Sequence, residues 1–73
     1  MIQNYFVYTE RDAELNVPDY AYVNFVEEVG NDLCGERDCY EISVQLSDVQ
    51  TFEQWCDTNE NVIYYEQMKL LLL

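Results

Sequence analysis

Eight consecutive residues, Tyr40 to Ser47 (Tyr-Glu-Ile-Ser-Val-Gln-Leu-Ser), alternate apolar and polar without a break, and this pattern constrains the fold more than any other. Successive side chains of a strand point to opposite faces, so Tyr40, Ile42, Val44 and Leu46 share one face and Glu41, Ser43, Gln45 and Ser47 the other. A strand dry on one side and wet on the other belongs to an antiparallel sheet with a single covered face. The rest of the chain must supply the cover and the neighbouring strands.

After Ser47 the period changes to three and four. Val49, Phe52, Trp55 and Cys56 line one side of a predicted helix over Val49 to Asp57, with Gln50, Glu53, Gln54 and Asp57 on the other. Ser47 or Asp48 is placed to cap it, and with Ser47 as cap Gln50 completes a capping box. Thr58-Asn59-Glu60-Asn61 prefer turns and should end it. The apolar stripe of this helix is the cover that the sheet needs.

Ile2 to Thr9, rich in aromatic and β-branched residues, reads as a first strand, with Ile2, Asn4, Phe6 and Tyr8 on one face and Tyr5 and Val7 on the other. Glu10 to Asn16 reads as a charged loop closed by Val17-Pro18. Asp19 to Val29 fits two elements. As a helix it has the stripe Ala21, Tyr22, Phe25, Val26 and Val29; as a strand it has Ala21, Val23, Phe25 and Val29 on one face, interrupted by Glu27, and Tyr20, Tyr22, Asn24, Val26 and Glu28 on the other. Its Tyr, Val and Phe content, and the cost of Glu27 and Glu28 at a helix C-terminus, favour the strand. Gly30 to Asp38 reads as a loop, so the hairpin would carry a long acidic tip. Val62 to Met68 reads as a last strand. The Leu70 to Leu73 run then either continues it into the core or is buried in a dimer or partner interface. The expected fold is α+β: a small antiparallel β-sheet of three to four strands covered on one face by one helix, with a second helix at 19–29 as the alternative, in a single domain over residues 1–73.

A chain of 73 residues buries only about 60% of the surface that its unfolded form exposes, which leaves little room for an enzyme pocket. Without histidine the commonest general base near neutral pH is missing, as is every Ser-His or Cys-His nucleophile pair. Gly30 and Gly35 stand alone with no lysine beside them, so no phosphate cradle is present. Asn31 to Glu36 lacks the ligand order of an EF-hand loop. Cys34 and Cys39 are spaced so that a disulfide would contribute about 2 kcal/mol. The cytosolic character of the sequence favours free thiols, and three thiols without histidine make a poor zinc site. The expectation is no enzyme, no cofactor and no metal. No stretch approaches the roughly 20 apolar residues of a membrane span, and Met-Ile-Gln-Asn-Tyr is not a signal sequence. A cytoplasmic protein is expected.

Fifteen acids against three bases, Arg11, Arg37 and Lys69, give a formal charge of −12. Such a surplus repels itself, and its use beyond solubility is to attract a basic partner. Direct contact with nucleic-acid phosphates or anionic lipid is disfavoured by sign. The densest acidic part runs from Glu27 through Glu28, Asp32, Glu36 and Asp38 to Glu41; Asp19 belongs to a second group with Glu10, Asp12 and Glu14, and a third follows the helix through Asp48, Glu53, Asp57 and Glu60. Same-side carboxylates on a strand lie roughly 6.6 Å apart, a spacing fit to approximate a phosphate array. Of the seven tyrosines, Tyr5, Tyr20, Tyr22, Tyr64 and Tyr65 cannot all be core in so small a domain, and exposed tyrosine among acids suits contact with arginine. The candidate partner-binding residues are therefore Asp19, Tyr20, Tyr22, Glu27, Glu28, Asp32, Glu36, Asp38 and Glu41.

A tiny, strongly acidic, tyrosine-rich chain without histidine resembles the small phage-encoded anti-defence inhibitors, the anti-CRISPR and DNA-mimic class, in composition and size along its whole length. The strand, helix and strand from Tyr40 to Met68 also look like architectures of such inhibitors. The resemblance implies a non-enzymatic inhibitor in the host cytoplasm that binds a basic surface of a nucleic-acid-handling effector and blocks nucleic-acid access. The alternative expectation is a structural or adaptor protein that uses its apolar C-terminal end for homodimerisation or docking.

Overall fold

A computed structural model describes residues 1–31 and 35–68 of the chain. Its elements are β1 (Ile2–Glu10), β2 (Tyr22–Asn31), β3 (Gly35–Gln45), α1 (Val49–Thr58) and β4 (Tyr64–Gln67), with a 3-10 turn at Leu46–Asp48 leading into α1. The four strands form one sheet in the order β2-β3-β1-β4, every neighbouring pair antiparallel. The expected α+β fold, a four-stranded antiparallel sheet and one helix, is the observed one.

The expected alternation of β3 decides which face is dry. Ile42 and Val44 are buried beside Tyr5 and Val7 of β1, and Phe52 and Cys56 of α1 close over them. The Tyr5 ring meets that of Phe52 at 4.9 Å and that of Tyr65 at 6.2 Å. Its hydroxyl escapes burial without a partner by donating to Glu53 Oε2 at 2.6 Å, the arrangement a buried phenol requires. Tyr65 donates likewise to Asp57 Oδ1 at 3.1 Å. Leu15, Val17, Ala21 and Val23 fill in from the side. The helix therefore covers one face of the sheet. With principal extents of 36 × 29 × 18 Å, the molecule is one helix layer on one sheet layer.

Four local expectations are corrected. First, the hairpin has no long acidic tip: β2 and β3 pair from Tyr22↔Ser43 to Asn31↔Gly35, so Glu36 and Asp38 lie on a strand. Gly35, at φ 75, takes the left-handed turn position that a Cβ would disfavour. Second, the strand favoured over a helix at 19–29 is the observed element, but with other bounds: residues 19–21 turn and the strand runs Tyr22–Asn31. Third, a bulge between Val23 and Phe25 adds one residue and reverses the facing of the strand beyond it. Phe25 thus departs from the Val23 face, and Val26 replaces it there. Fourth, α1 has no capping box. Asp48 occupies the N-cap with φ −104 and ψ 1 and makes no side-chain bond, because the 3-10 turn already delivers the chain in a near-helical conformation, whereas a capping residue needs an extended one. Leu46, expected on the buried face, sits in that turn and is exposed. The last strand is shorter than 62–68, and Leu70 to Leu73 lie outside the described residues.

Candidate partner-binding surface

Because α1 covers one face, the side chains of opposite parity form a second face that no described element covers. The strand registers order it into rows. One row runs Glu27, Cys39, Tyr8, Tyr64 from β2 to β4, and the next runs Phe25, Glu41, Phe6, Glu66. A third brings Tyr22, Ser43 and Asn4 together. There Asn24 Nδ2 donates to Ser43 Oγ at 2.8 Å and Ser43 Oγ donates to Asn4 Oδ1 at 2.5 Å, a polar ladder that links β2, β3 and β1. Tyr8 and Tyr64 stack with ring centroids 4.3 Å apart.

This open face exposes large aromatic surface beside acids. Tyr22 is 69% exposed, Phe25 45% and Tyr64 51%, while Glu27 and Glu66 are exposed and Glu41 half-buried. A shallow groove of about 400 Å³ lined by Phe6, Glu66, Gln67 and Met68 runs along its β4 side. Cys39 is buried at its centre. Burial pushes its thiol pKa up, with the Glu27, Glu66 and Glu41 carboxylates adding to the effect against a hydrogen bond with Tyr8 that lowers it. It is therefore an unreactive thiol near neutral pH. Cys56 in the core is pushed up to about 12, first by burial and then by Asp57 and Glu53. Both are free cysteines.

A second acidic group sits at the far end of the hairpin and is already occupied from within. The Arg11 guanidinium lies 3.5 Å from Glu28, 3.4 Å from Glu36 and 3.2 Å from Asp38. Asp38 also accepts the Asp12 N–H at 3.1 Å, with Asp12 in a left-handed conformation at φ 64. Among the described residues every ion pair is made by Arg11, and no set of three Cys, Asp or Glu side chains is placed to hold a metal ion.

No protein family, curated protein or solved structure matches this chain.

The candidate residues fall into three places. Tyr22, Glu27 and Glu41 meet on the open face. Glu28, Glu36 and Asp38 gather on Arg11 at the hairpin end. Asp19 and Tyr20 lie in the turn before β2; Tyr20 is on the helix side, where its hydroxyl pKa is raised by burial and then by Asp48 and Cys56. Asp32 falls outside the described residues. Of the other surplus tyrosines, Tyr64 joins the first group on the open face, whereas Tyr5 is buried and Tyr65 packs against the core; sequence reasoning left out Phe6, Tyr8, Phe25 and Glu66, which share the open face too. Phe6 and Tyr8 carried a signal, since β1 has apolar residues on both faces and only one can meet the helix.

Proposed function

We propose that this protein is a non-enzymatic inhibitor of the anti-CRISPR or DNA-mimic type, which binds the basic surface of a nucleic-acid-handling effector through its acidic, tyrosine-containing surface and blocks nucleic-acid access. One observation supports the reading above the others: three bases cannot neutralise fifteen acids, and among the described residues Arg11 makes every ion pair. Arg11 takes up three carboxylates, and Glu27, Glu41 and Glu66 are left on a rigid sheet among exposed aromatics. An uncompensated field of one sign steers an oppositely charged partner and raises its encounter rate by tenfold or more at low salt. The aromatic rings supply the apolar contact that charge alone lacks. The binding surface is assigned first to Tyr22, Glu27 and Glu41, with Glu28, Glu36 and Asp38 adding to the field.

The test is affinity capture from host lysate, repeated with competing duplex and single-stranded nucleic acid. A captured protein that nucleic acid and salt both release supports the reading. Capture unchanged in 1 M NaCl, and indifferent to nucleic acid, contradicts it. That second outcome supports the other reading, an adaptor or homodimer held by apolar contact, which the exposure of Ile2, Phe25 and Tyr64 favours.

A further inference from the structure

We infer that the partner engages the open sheet face through arginine side chains, each stacked on an aromatic ring and paired with a neighbouring carboxylate, and that arginine rather than lysine is what this face selects. The inference rests on the inhibitor reading above and identifies the chemistry of the partner.

The order within the rows carries it. Across β2, β3, β1 and β4, one row presents Phe25, Glu41, Phe6 and Glu66, so ring and carboxylate alternate. Neighbours in a row stand about 4.8 Å apart. A planar guanidinium lying on Phe6 is then within reach of a carboxylate on either side, Glu41 or Glu66, and one on Phe25 is within reach of Glu41. Arginine combines stacking on a ring with forked donation to a carboxylate, whereas lysine offers a compact, strongly hydrated charge that does neither as well. The next row adds the stacked Tyr8 and Tyr64 pair. A uniform array of carboxylates would accept either cation; an alternating one discriminates. The fold already gathers carboxylates around one guanidinium, where Arg11 lies beside Glu28, Glu36 and Asp38 without a stacked ring; the open face adds the ring.

Charge complementarity also disposes of the competing occupants. A second copy of a chain with charge −12 would bring Glu41 and Glu66 against like charges, and phosphates would be repelled for the same reason. A cationic protein segment is what remains.

The experiment titrates the full-length, 15N-labelled protein with nona-arginine and, separately, with nona-lysine at low salt, and follows the backbone amide shifts. The arginine probe should bind about fivefold tighter or more, with shifts centred on Phe6, Phe25, Glu41 and Glu66. In Phe6→Ala the preference should fall away while lysine binding persists. Glu41→Gln, which keeps the shape, should weaken both probes in case the ring deletion disturbs the fold. Equal affinity for the two probes overturns the inference, as do shifts confined to the Glu28 and Glu36 end, Overhauser contacts from the Leu70 to Leu73 methyls to the Phe6 ring in the free protein, or a dimer that buries this face. These outcomes leave the inhibitor reading standing, because that reading fails on its own test, the indifference of captured partner to nucleic acid.

Discussion

Replacement of Arg11 by alanine should cost the fold about 2.5 kcal/mol, far more than loss of an ordinary surface arginine. Its contacts with Glu28 and Glu36 are with side chains that are 73% and 72% exposed, and such pairs are screened to about 0–1 kcal/mol each. Asp38 differs: its side chain is 12% exposed, and the hydrogen bond it accepts from the Asp12 N–H does not neutralise its charge. Breaking a fully buried pair by removing one partner costs about 3–5 kcal/mol, and residual access to water puts Asp38 at about 2 kcal/mol. Three carboxylates left together without their cation add repulsion. Urea unfolding followed by Trp55, the only tryptophan, stacked on Phe52 with centroids 5.5 Å apart, reads the effect. With a urea slope of about 1 kcal/mol/M for so small a domain, the midpoint should fall by about 2.5 M. In an Asp38→Asn background the same deletion should cost about 1 kcal/mol or less, since no buried charge is stranded. A loss under about 0.5 kcal/mol in the parent, or equal losses in both backgrounds, would refute the reasoning.

Tyr5→Phe keeps the buried ring and removes the hydroxyl that donates to Glu53, so it should cost about 1.5 kcal/mol, the lower part of the range for hydrogen bonds to charged groups; a double-mutant cycle with Glu53→Gln measures the coupling. Gly35→Ala places a Cβ at φ 75 and should cost about 1–2 kcal/mol, read by the same urea titration. Alkali should unfold the protein. Tyr5 has its pKa raised by burial and then by its bond to Glu53, and Cys56 is raised to about 12, so the native state favours the neutral forms. Their contribution is fully present below the unfolded values of about 9 for the thiol and about 10 for the phenol. It is lost as pH climbs from there towards the native values. Circular dichroism against pH, with tyrosinate absorbance recorded in parallel, checks this. Ionisation of Tyr5 near pH 10 in a still-folded protein would speak against the assigned burial. Lowering the pH towards the isoelectric point of about 4.1 removes self-repulsion and should drive association through the open face, seen as a rise in sedimentation coefficient.

The alternation at Tyr40 to Ser47 and the switch to a helical period after it carried the architecture, because both periods are local properties of the chain. The one-residue bulge at Asn24 was not legible, and it decided the faces of Phe25, Val26 and Glu27. The bulged residue makes a long-range polar bond to Ser43, itself bonded to Asn4, a contact no local pattern announces. Asp38 reads as a loop acid between turn formers; pairing with Thr9 and Glu28 makes it a strand residue, and Arg11, distant in sequence, lies against its carboxylate there. The same limit governs the surface. Tyr22, Glu27 and Glu41 were recognisable by type, but their grouping with Phe6, Tyr8, Tyr64 and Glu66 depends on strand order, with β1 between β3 and β4. That order brings aromatic and acidic residues from distant segments into one row. The charge was visible in the sequence; the alternation that gives it specificity was not.

If the protein acts as proposed, it and a nucleic acid compete for one basic surface. Fluorescence anisotropy of labelled nucleic acid bound to the captured effector tests this most directly. Titration with this protein should release the label at one equivalent, with an apparent affinity that falls as salt rises. Glu27→Gln/Glu41→Gln/Glu66→Gln should release it only at tenfold higher concentration or more. A stable ternary complex, in which label and protein are bound together, would contradict the proposed competition.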